Sequence, residues 1–399
     1  MAGDRCRRCK NINARGSVDV GRLFLAVADT DAAYVDGLQK YFTYAYPDRF
    51  RTSTFTSRES LIKFISGYEG TIDILLVSPQ LYPDLMQEGK VNTVIMLSSG
   101  RLYENTKAQG TINKYQHGDR IAAEIINIYS SANKNEIISL EGNRKTRFVS
   151  VYSPAGGTGK TTIAISTSMR CAQKGLRVLY LNFENISTLP AFFDYKQSPN
   201  FSNVIYYLKD KEKNLGFKIE GIRCVDPESG LHFLAPPDSA CELDELLPED
   251  IESLLLHIGN MHYYDVVFMD MAGGFSRRSL SLMLSSDEIF LVTTQDEIAN
   301  MKLRLLEKEL SVLDAGGKRS LWEKALLIVN QCMQDMHYGM EDGLFAGKAA
   351  AVTIPKVKSN MSKDWIKKEL AEEGYFSYEI NKLADRFVNA RAGESPARA

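Results

Sequence analysis

The sequence predicts an α/β protein of two doubly wound domains, each a mostly parallel sheet with helices on both faces. Three observations carry this. Apolar runs of strand length alternate with helix-period segments through most of the chain, as expected for parallel strands buried on both faces. A polar, charged stretch from Ser130 to Arg147, SSANKNEIISLEGNRKTR, interrupts the alternation and reads as a linker. Directly after it, an apolar segment, Phe148–Tyr152, enters a glycine-rich turn and then a helix opening at about Lys160. The expected organisation is a tail over 1–20, a first domain over 21–134, a linker over 135–146, a second domain over 147–385 and a tail over 386–399.

Composition sets outer bounds. The 399 residues are 44% hydrophobic and 25% charged, a globular balance with room for two or three domains. A formal net charge of −2 offers no electrostatic case for bulk nucleic-acid binding. No stretch approaches the roughly 18 to 20 uncharged apolar residues of a membrane span. The N-terminus, MAGDRCRRCK, lacks the apolar core of a secretory signal, so a cytoplasmic protein without an integral membrane segment is expected. Of six cysteines, only Cys6 and Cys9 form a C-x-x-C pair. No second pair follows at zinc-site spacing, which favours reduced thiols in a polar leader.

In the first domain, Leu23–Asp29, Phe50–Phe55, Ile72–Ser78, Val91–Ser99 and Thr111–Tyr115 read as strands. Ala32–Ala45, Ser57–Gly67 and Asp119–Tyr129 carry helical periodicity between and after them. This succession resembles the receiver domain of response regulators, a flavodoxin-like fold. The resemblance implies acidic residues at the end of the first strand and a phosphorylated Asp at the end of the third. Here the first strand ends in Asp29 followed by Thr30, and the third ends in Ser78. Lys114 is the candidate for the family's lysine, and Ser98 or Ser99 for its hydroxyl residue. Without a carboxylate at 78 there is no aspartyl-phosphate acceptor. The reading is an atypical, non-phosphorylated receiver serving as a docking module.

In the second domain, Gly156, Gly157, Thr158, Gly159, Lys160, Thr161 and Thr162 form a GGTGKTT loop between strand and helix. Such a loop aims backbone N–H groups and the positive end of a helix at phosphates. Lys160 would reach the β- and γ-phosphates and Thr161 would bind Mg²⁺. Pro154 stands where the strict P-loop pattern has its first glycine. Gly175–Asn185 is the next strand, and Leu231–Pro237 another. The aromatics Phe192, Phe193, Tyr195, Phe201, Tyr206 and Tyr207 between them suit core or partner surface. Pro248–Met261 is a helix. The run YDVVFMDMAGG, Tyr264–Gly274, has the form of a Walker B strand, with Asp270 able to hold Mg²⁺ and the glycines able to sense a γ-phosphate. Glu288–Thr294, Ala325–Gln331 and Ala350–Pro355 are further strands, with an amphipathic helix at about Asn300–Ala315.

Four features in order, GGTGKTT at 156–162, NFEN at 182–185, DMAGG at 270–274 and IVNQ at 328–331, resemble the MinD/ParA branch of P-loop ATPases. The resemblance implies ATP and Mg²⁺ as ligands and a homodimer that sandwiches nucleotide. It implies Lys160, Glu184 and Asp270 as catalytic residues and Thr161 and Asp270 as metal ligands. Asn330, Gln331 and the Pro355 region would flank the adenine base. Three departures stand out. Ala155 occupies the position of the family's signature lysine, Asn182 and Glu184 replace its usual aspartates, and Met271 replaces the proline after the Walker B Asp. Loss of a cation from a water-poor phosphoryl-transfer site implies tight binding and slow or negligible hydrolysis, a weak ATPase at most. Arg277 or Arg278 could supply the missing charge, and a surface role for the pair is an equal alternative.

A receiver-like domain ahead of a MinD/ParA-like ATPase with an altered phosphate loop resembles the TadZ/CpaE family. That implies a scaffold or localisation factor for Tad (type IVb) pilus assembly. It would work at the cell pole or the inner-membrane face, with other pilus-assembly or polar proteins docking on the receiver-like domain. The alternatives are a partitioning or positioning ATPase and a bacterial tyrosine kinase-like protein. DNA as a partner finds weak support, because the surroundings of Lys356, Lys358, Lys363, Lys367 and Lys368 include Glu369, Glu372 and Glu373. A kinase would carry a C-terminal tyrosine cluster, and this C-terminal region has only Tyr375 and Tyr378.

Overall fold

The computed structural model describes residues 22–46, 49–82, 89–100, 108–133, 145–195, 197, 199–211, 215–314, 321–333, 344–345, 348–357 and 364–391. The leader with Cys6 and Cys9, most of the expected linker and the last eight residues fall outside these. The chain divides into two compact units, 1–98 and 99–399.

The first unit alternates β1 (Leu23–Ala28), α1 (Ala32–Ala45), β2 (Phe50–Phe55), α2 (Arg58–Gly67), β3 (Ile72–Val77) and β4 (Val91–Ser98). Asp31 and Ser57 start the two helices by accepting the N–H groups of Tyr34 and Ser60, the usual N-cap chemistry. β1 is buried at every position because parallel neighbours flank it on both sides. Next come β5 (Gly110–Asn113) and α3 (Gly118–Ala132). The five-stranded sheet has the order β2-β1-β3-β4-β5, that of flavodoxin-like folds.

The larger sheet is built from β6 (Arg147–Tyr152), β7 (Val178–Phe183), β8 (Cys224–Val225), β9 (His232–Phe233), β10 (Val266–Met271), β11 (Glu288–Thr293), β12 (Ala325–Cys332) and β15 (Val352–Pro355). A short hairpin, β13 (Leu344–Phe345) and β14 (Lys348–Ala349), lies apart from it. The helices are α4 (Lys160–Gln173), α5 (Phe201–Lys209), α6 (Leu215–Ile222), α7 (Pro248–Asn260), α8 (Arg277–Leu284), α9 (Glu297–Asp314), α10 (Leu321–Lys324), α11 (Trp365–Ala371) and α12 (Tyr375–Arg391). The sheet order is β15-β12-β11-β6-β10-β7-β9-β8. Only the β8–β9 pair in it is antiparallel.

Alternation along each strand divides the apolar residues between two cores. Val266 and Phe268 face α4, α11 and α12, while Val267, Met269 and Met271 face α5 to α9. Two buried faces explain why these strands read as continuous apolar runs. α6 is buried at all eight positions. Lys218 on it donates to Ser131 Oγ of α3 at 2.6 Å and lies over the Tyr207 ring.

Several boundaries differ from expectation for local reasons. The strand expected over Leu231–Pro237 is only His232–Phe233, since two prolines follow and cannot donate to a ladder. α9 begins before Asn300 because Asp296 accepts the N–H of Ala299. The aromatic group after β7 is mainly core, with Phe193 and Phe201 buried, although Tyr206 is exposed. α12 continues through Arg391, past residue 385 where the sequence places a tail. Phe387 anchors that extension by packing its ring on Phe268 and Phe290, and Arg386 pairs with the buried Glu288. Replacing Phe387 with Ala is expected to cost about 3–5 kcal/mol in equilibrium urea unfolding. A loss below about 1 kcal/mol would place the end of α12 outside the cooperative core.

Candidate functional site

β6 lies between β10 and β11 at the centre of the larger sheet. Its carboxyl end is where an open α/β sheet leaves a crevice for ligand. The 156–162 loop leaves that end and α4 begins at Lys160. Gly157 and Gly159 have φ of +71° and +86°, a backbone region that favours glycine. Gly159 is constrained a second time, because a Cβ there would stand 2.3 Å from Asn330 Nδ2.

Two side chains from the end of β12 hold the loop. Asn330 Nδ2 donates to the Thr158 carbonyl and Gln331 Nε2 to the Gly157 carbonyl, both at 2.8 Å. Gln331 does so from a left-handed backbone, φ +56°. Pro355 of β15 is in register with Cys332, so it stands beside the same strand end. Asn330 and Gln331 are thus gathered at the loop, with Pro355 beside the end of the strand that carries them.

Lys160 is buried, and its Nζ lies 3.6 Å from where a Cβ on Gly273 would be. The lysine therefore reaches the segment that follows Asp270. Thr161 and Thr162 occupy the first turn of α4. Thr158 Oγ1 is buried and makes no hydrogen bond among the described residues. The Ala155 position is buried too, and its N–H donates to Ser153 Oγ.

The β6–β10 register sets Asp270 opposite Val151, next to the start of the loop. Asp270 is fully buried. Its Oδ2 accepts from Tyr180 Oη at 2.8 Å, while Oδ1 accepts no hydrogen bond among the described residues. Burial, and then the charge of Glu184, raises the Asp270 carboxyl to about 7; the Thr161 and Tyr180 hydroxyls and Lys160 pull it back. Burial also holds the Tyr180 phenol well above its ordinary range, leaving it a neutral donor. Asn182 Oδ1 accepts the Glu184 N–H at 3.0 Å. The Glu184 carboxylate is half-buried just past β7 and accepts from Thr188 at 3.4 Å.

A divalent cation fits this donor set. It would relieve the repulsion between Asp270 and Glu184 and occupy the orphaned Oδ1. Among the described residues no three His, Cys, Asp or Glu side chains converge on a metal position. Phosphate oxygens and water would complete the shell, as is usual for Mg²⁺.

The two arginines after the glycines separate in role. Arg278 is spoken for: it donates to Asn185 Oδ1 at 2.6 Å and to Asp244 Oδ1 at 3.0 Å. It ties α8 to the segment after β7. Arg277 is exposed at the start of α8. The residue that sequence reasoning missed is Tyr180. A tyrosine in an otherwise apolar buried strand needs a partner for its hydroxyl, and it shares a face with Asn182 two residues on. Those two facts were available without coordinates.

In the first unit, Asp29 and Ser78 lie at the carboxyl ends of adjacent strands β1 and β3. Ser78 occupies the position of the expected acceptor, and its buried hydroxyl makes no hydrogen bond among the described residues. Lys114 follows β5 and lies over the Tyr115 ring.

Comparison with known proteins adds to this geometry. Residues 21–130 match the family described as TadZ-like, receiver domain. The chain is 25% identical over 182 residues to the flagellum site-determining protein YlxH of Helicobacter pylori, covering 45% of this chain and 58% of that protein. It is 25% identical over 187 residues to the septum site-determining protein MinD of Buchnera aphidicola, covering 44% and 62%. It thus spans less than two thirds of each relative's length. A solved ParA family ATPase from Chlorobium tepidum superposes with a TM-score of 0.50 at 17% identity, covering 60% of this chain and 98% of that one. This last likeness concerns the fold alone.

Gly159→Ala combines a disfavoured φ with a clash against a hydrogen-bonded side chain. It is expected to destabilise the larger unit by about 1–3 kcal/mol, read by chemical unfolding, with the loss reduced in a Gly159→Ala, Asn330→Ala double variant. Equal losses in both would show that the clash is not the cause.

Proposed function

We propose that this TadZ/CpaE-type chain, a TadZ-like receiver domain joined to a MinD/ParA-like P-loop ATPase domain, is an ATP-binding scaffold or localisation factor for Tad (type IVb) pilus assembly. It forms an ATP-sandwich homodimer and hydrolyses ATP slowly or negligibly. The observation that carries the reading is the pairing of a glycine-rich phosphate cradle with an alanine where the resemblance implies a cation. The loop with Gly157 and Gly159 opens α4, whose Lys160 and Thr161 act on the buried Asp270, while a buried Ala155 stands at the position the resemblance assigns to a signature lysine.

The residues divide the work. Backbone N–H groups of the loop and the N-terminus of α4 bind phosphate, and Lys160 neutralises its charge. Asn330 has one amide proton on the Thr158 carbonyl, and its remaining groups serve the base. Thr161 and Asp270 hold Mg²⁺, which when bound screens the phosphates and orders their oxygens. Glu184 orients water. Asp270 and Glu184 provide no positive charge for the developing phosphoryl group, so turnover is slow. The scaffold works in the cytoplasm, at the pole or the inner-membrane face; no described helix is long and apolar enough to cross a membrane. The receiver-like domain has Ser78 at its acceptor position and serves as the docking module for other pilus or polar proteins.

Light scattering with Mg²⁺-ATP, Mg²⁺-ADP or no nucleotide, with phosphate release followed in the same samples, tests the reading. A dimer specific to ATP with little release is expected. A monomer under all three conditions would remove the sandwich. Lys160→Ala is expected to weaken ATP binding at least about tenfold, roughly 1.4 kcal/mol, in a fluorescent-nucleotide titration. Ala155→Lys, which restores the missing charge, is expected to raise turnover by about ten- to a hundredfold. Arg277→Ala lowers the residual rate if that exposed arginine acts on phosphate, and an unchanged rate removes it from the site.

A further inference from the structure

β7 places a phenol in a strand that, Asn182 apart, is otherwise apolar. Tyr180 is fully buried among residues that pack on α4, and a phenylalanine would fill nearly the same volume. A buried hydroxyl costs free energy unless its hydrogen bonds are made inside the protein. Tyr180 makes them. It donates to Asp270 Oδ2 at 2.8 Å and accepts from Asn182 Nδ2 at 3.2 Å. Asn182 Nδ2 also lies 3.5 Å from Asp270 Oδ2, at the outer limit of a hydrogen bond. Asn182 is itself held by the Glu184 N–H on its Oδ1. A chain of hydrogen bonds therefore runs from the backbone after β7 to a single oxygen of Asp270.

The consequence lies on the other oxygen. The terminal torsion of an aspartate is broad and roughly two-fold, so an unrestrained Asp270 could present either oxygen in a range of directions. With Oδ2 pinned, Oδ1 is the oxygen left to accept a ligand, and it is buried with no hydrogen-bond partner among the described residues.

We propose that Tyr180, anchored by Asn182, is a positioning residue that fixes the Asp270 carboxylate so that Oδ1 faces the metal ion of a bound Mg²⁺-nucleotide. This rests on the nucleotide-binding reading given above and deepens it. Tyr180 touches neither metal nor nucleotide and acts through Asp270. Outer-shell partners of metal-binding carboxylates act in this way.

The test is a titration of the full chain with a fluorescent ATP analogue, in EDTA and across a series of Mg²⁺ concentrations, for the wild type and Tyr180→Phe. The variant removes one oxygen atom and keeps the ring. Nucleotide affinity in EDTA is expected to stay within about twofold, while the Mg²⁺ concentration giving half of the affinity gain rises about tenfold. Asn182→Ala, which removes the anchor and leaves the phenol, should shift the same curve in the same direction by less. It decides the matter if Tyr180→Phe does not fold. An unchanged Mg²⁺ dependence overturns the proposal. So does an equal loss with and without Mg²⁺, because it would mark Tyr180 as a packing residue. Nucleotide binding by the wild type, with or without Mg²⁺, separates these failures from failure of the nucleotide reading, in which the wild type itself would not bind.

Discussion

A carboxylate held in the dry centre of a parallel sheet is the constraint around which the larger unit is arranged. Asp270 is fully buried, and an isolated ionised group there would be expensive. The surroundings answer with graded compensation. A phenol binds one oxygen, a threonine and a lysine from the neighbouring helix favour the charged form, and the other oxygen is left open. Glu184 adds a second negative charge nearby and raises the carboxyl further. The site is thus under-neutralised, and a divalent cation is the complement its charges call for.

The phosphate loop depends on a second constraint. Its carbonyls Gly157 and Thr158 are bonded by Gln331 and Asn330, which come from a strand two places away across the sheet. Loop carbonyls satisfied from outside leave the N–H groups of the cradle free to point inward. The same Asn330 leaves no room for a side chain at Gly159. The loop is shaped as much by β12 as by its own glycines, and the residues that would meet the base also brace the phosphate cradle.

The TadZ-like receiver domain shows how a fold persists while its chemistry changes. The parallel order and the buried β1 rest on apolar periodicity, and the serine at 78, at the carboxyl end of β3, takes no part in them. In the larger unit, Ala155 is buried at the start of the loop and its N–H is bonded locally to Ser153. In both units these positions lie at the carboxyl end of a strand or in the loop that leaves it, where a residue can change without disturbing the packed layers.

The sequence by itself determined the α/β class, the alternation of strands and helices, and the loop and acidic strand of the candidate site. These are local properties. A period of two or 3.6, a glycine at positive φ and an acid at the end of an apolar run all lie within one short segment. The sequence also held a clue to Tyr180, since a phenol in a buried strand must find a partner, but not the partner's identity. Tertiary structure decided the rest. The parallel register of β7 with β10, Asn182 against Asp270, brings a hydroxyl from residue 180 to a carboxylate ninety positions away. The fold around α8 commits Arg278 to Asn185 and Asp244 while leaving Arg277 exposed, a distinction that two adjacent arginines do not reveal in sequence. It also carries α12 past residue 385 to seat Phe387 on Phe268 and Phe290. Each of these outcomes depends on which distant side chains share a face of the sheet, and that is fixed only when the strands have paired.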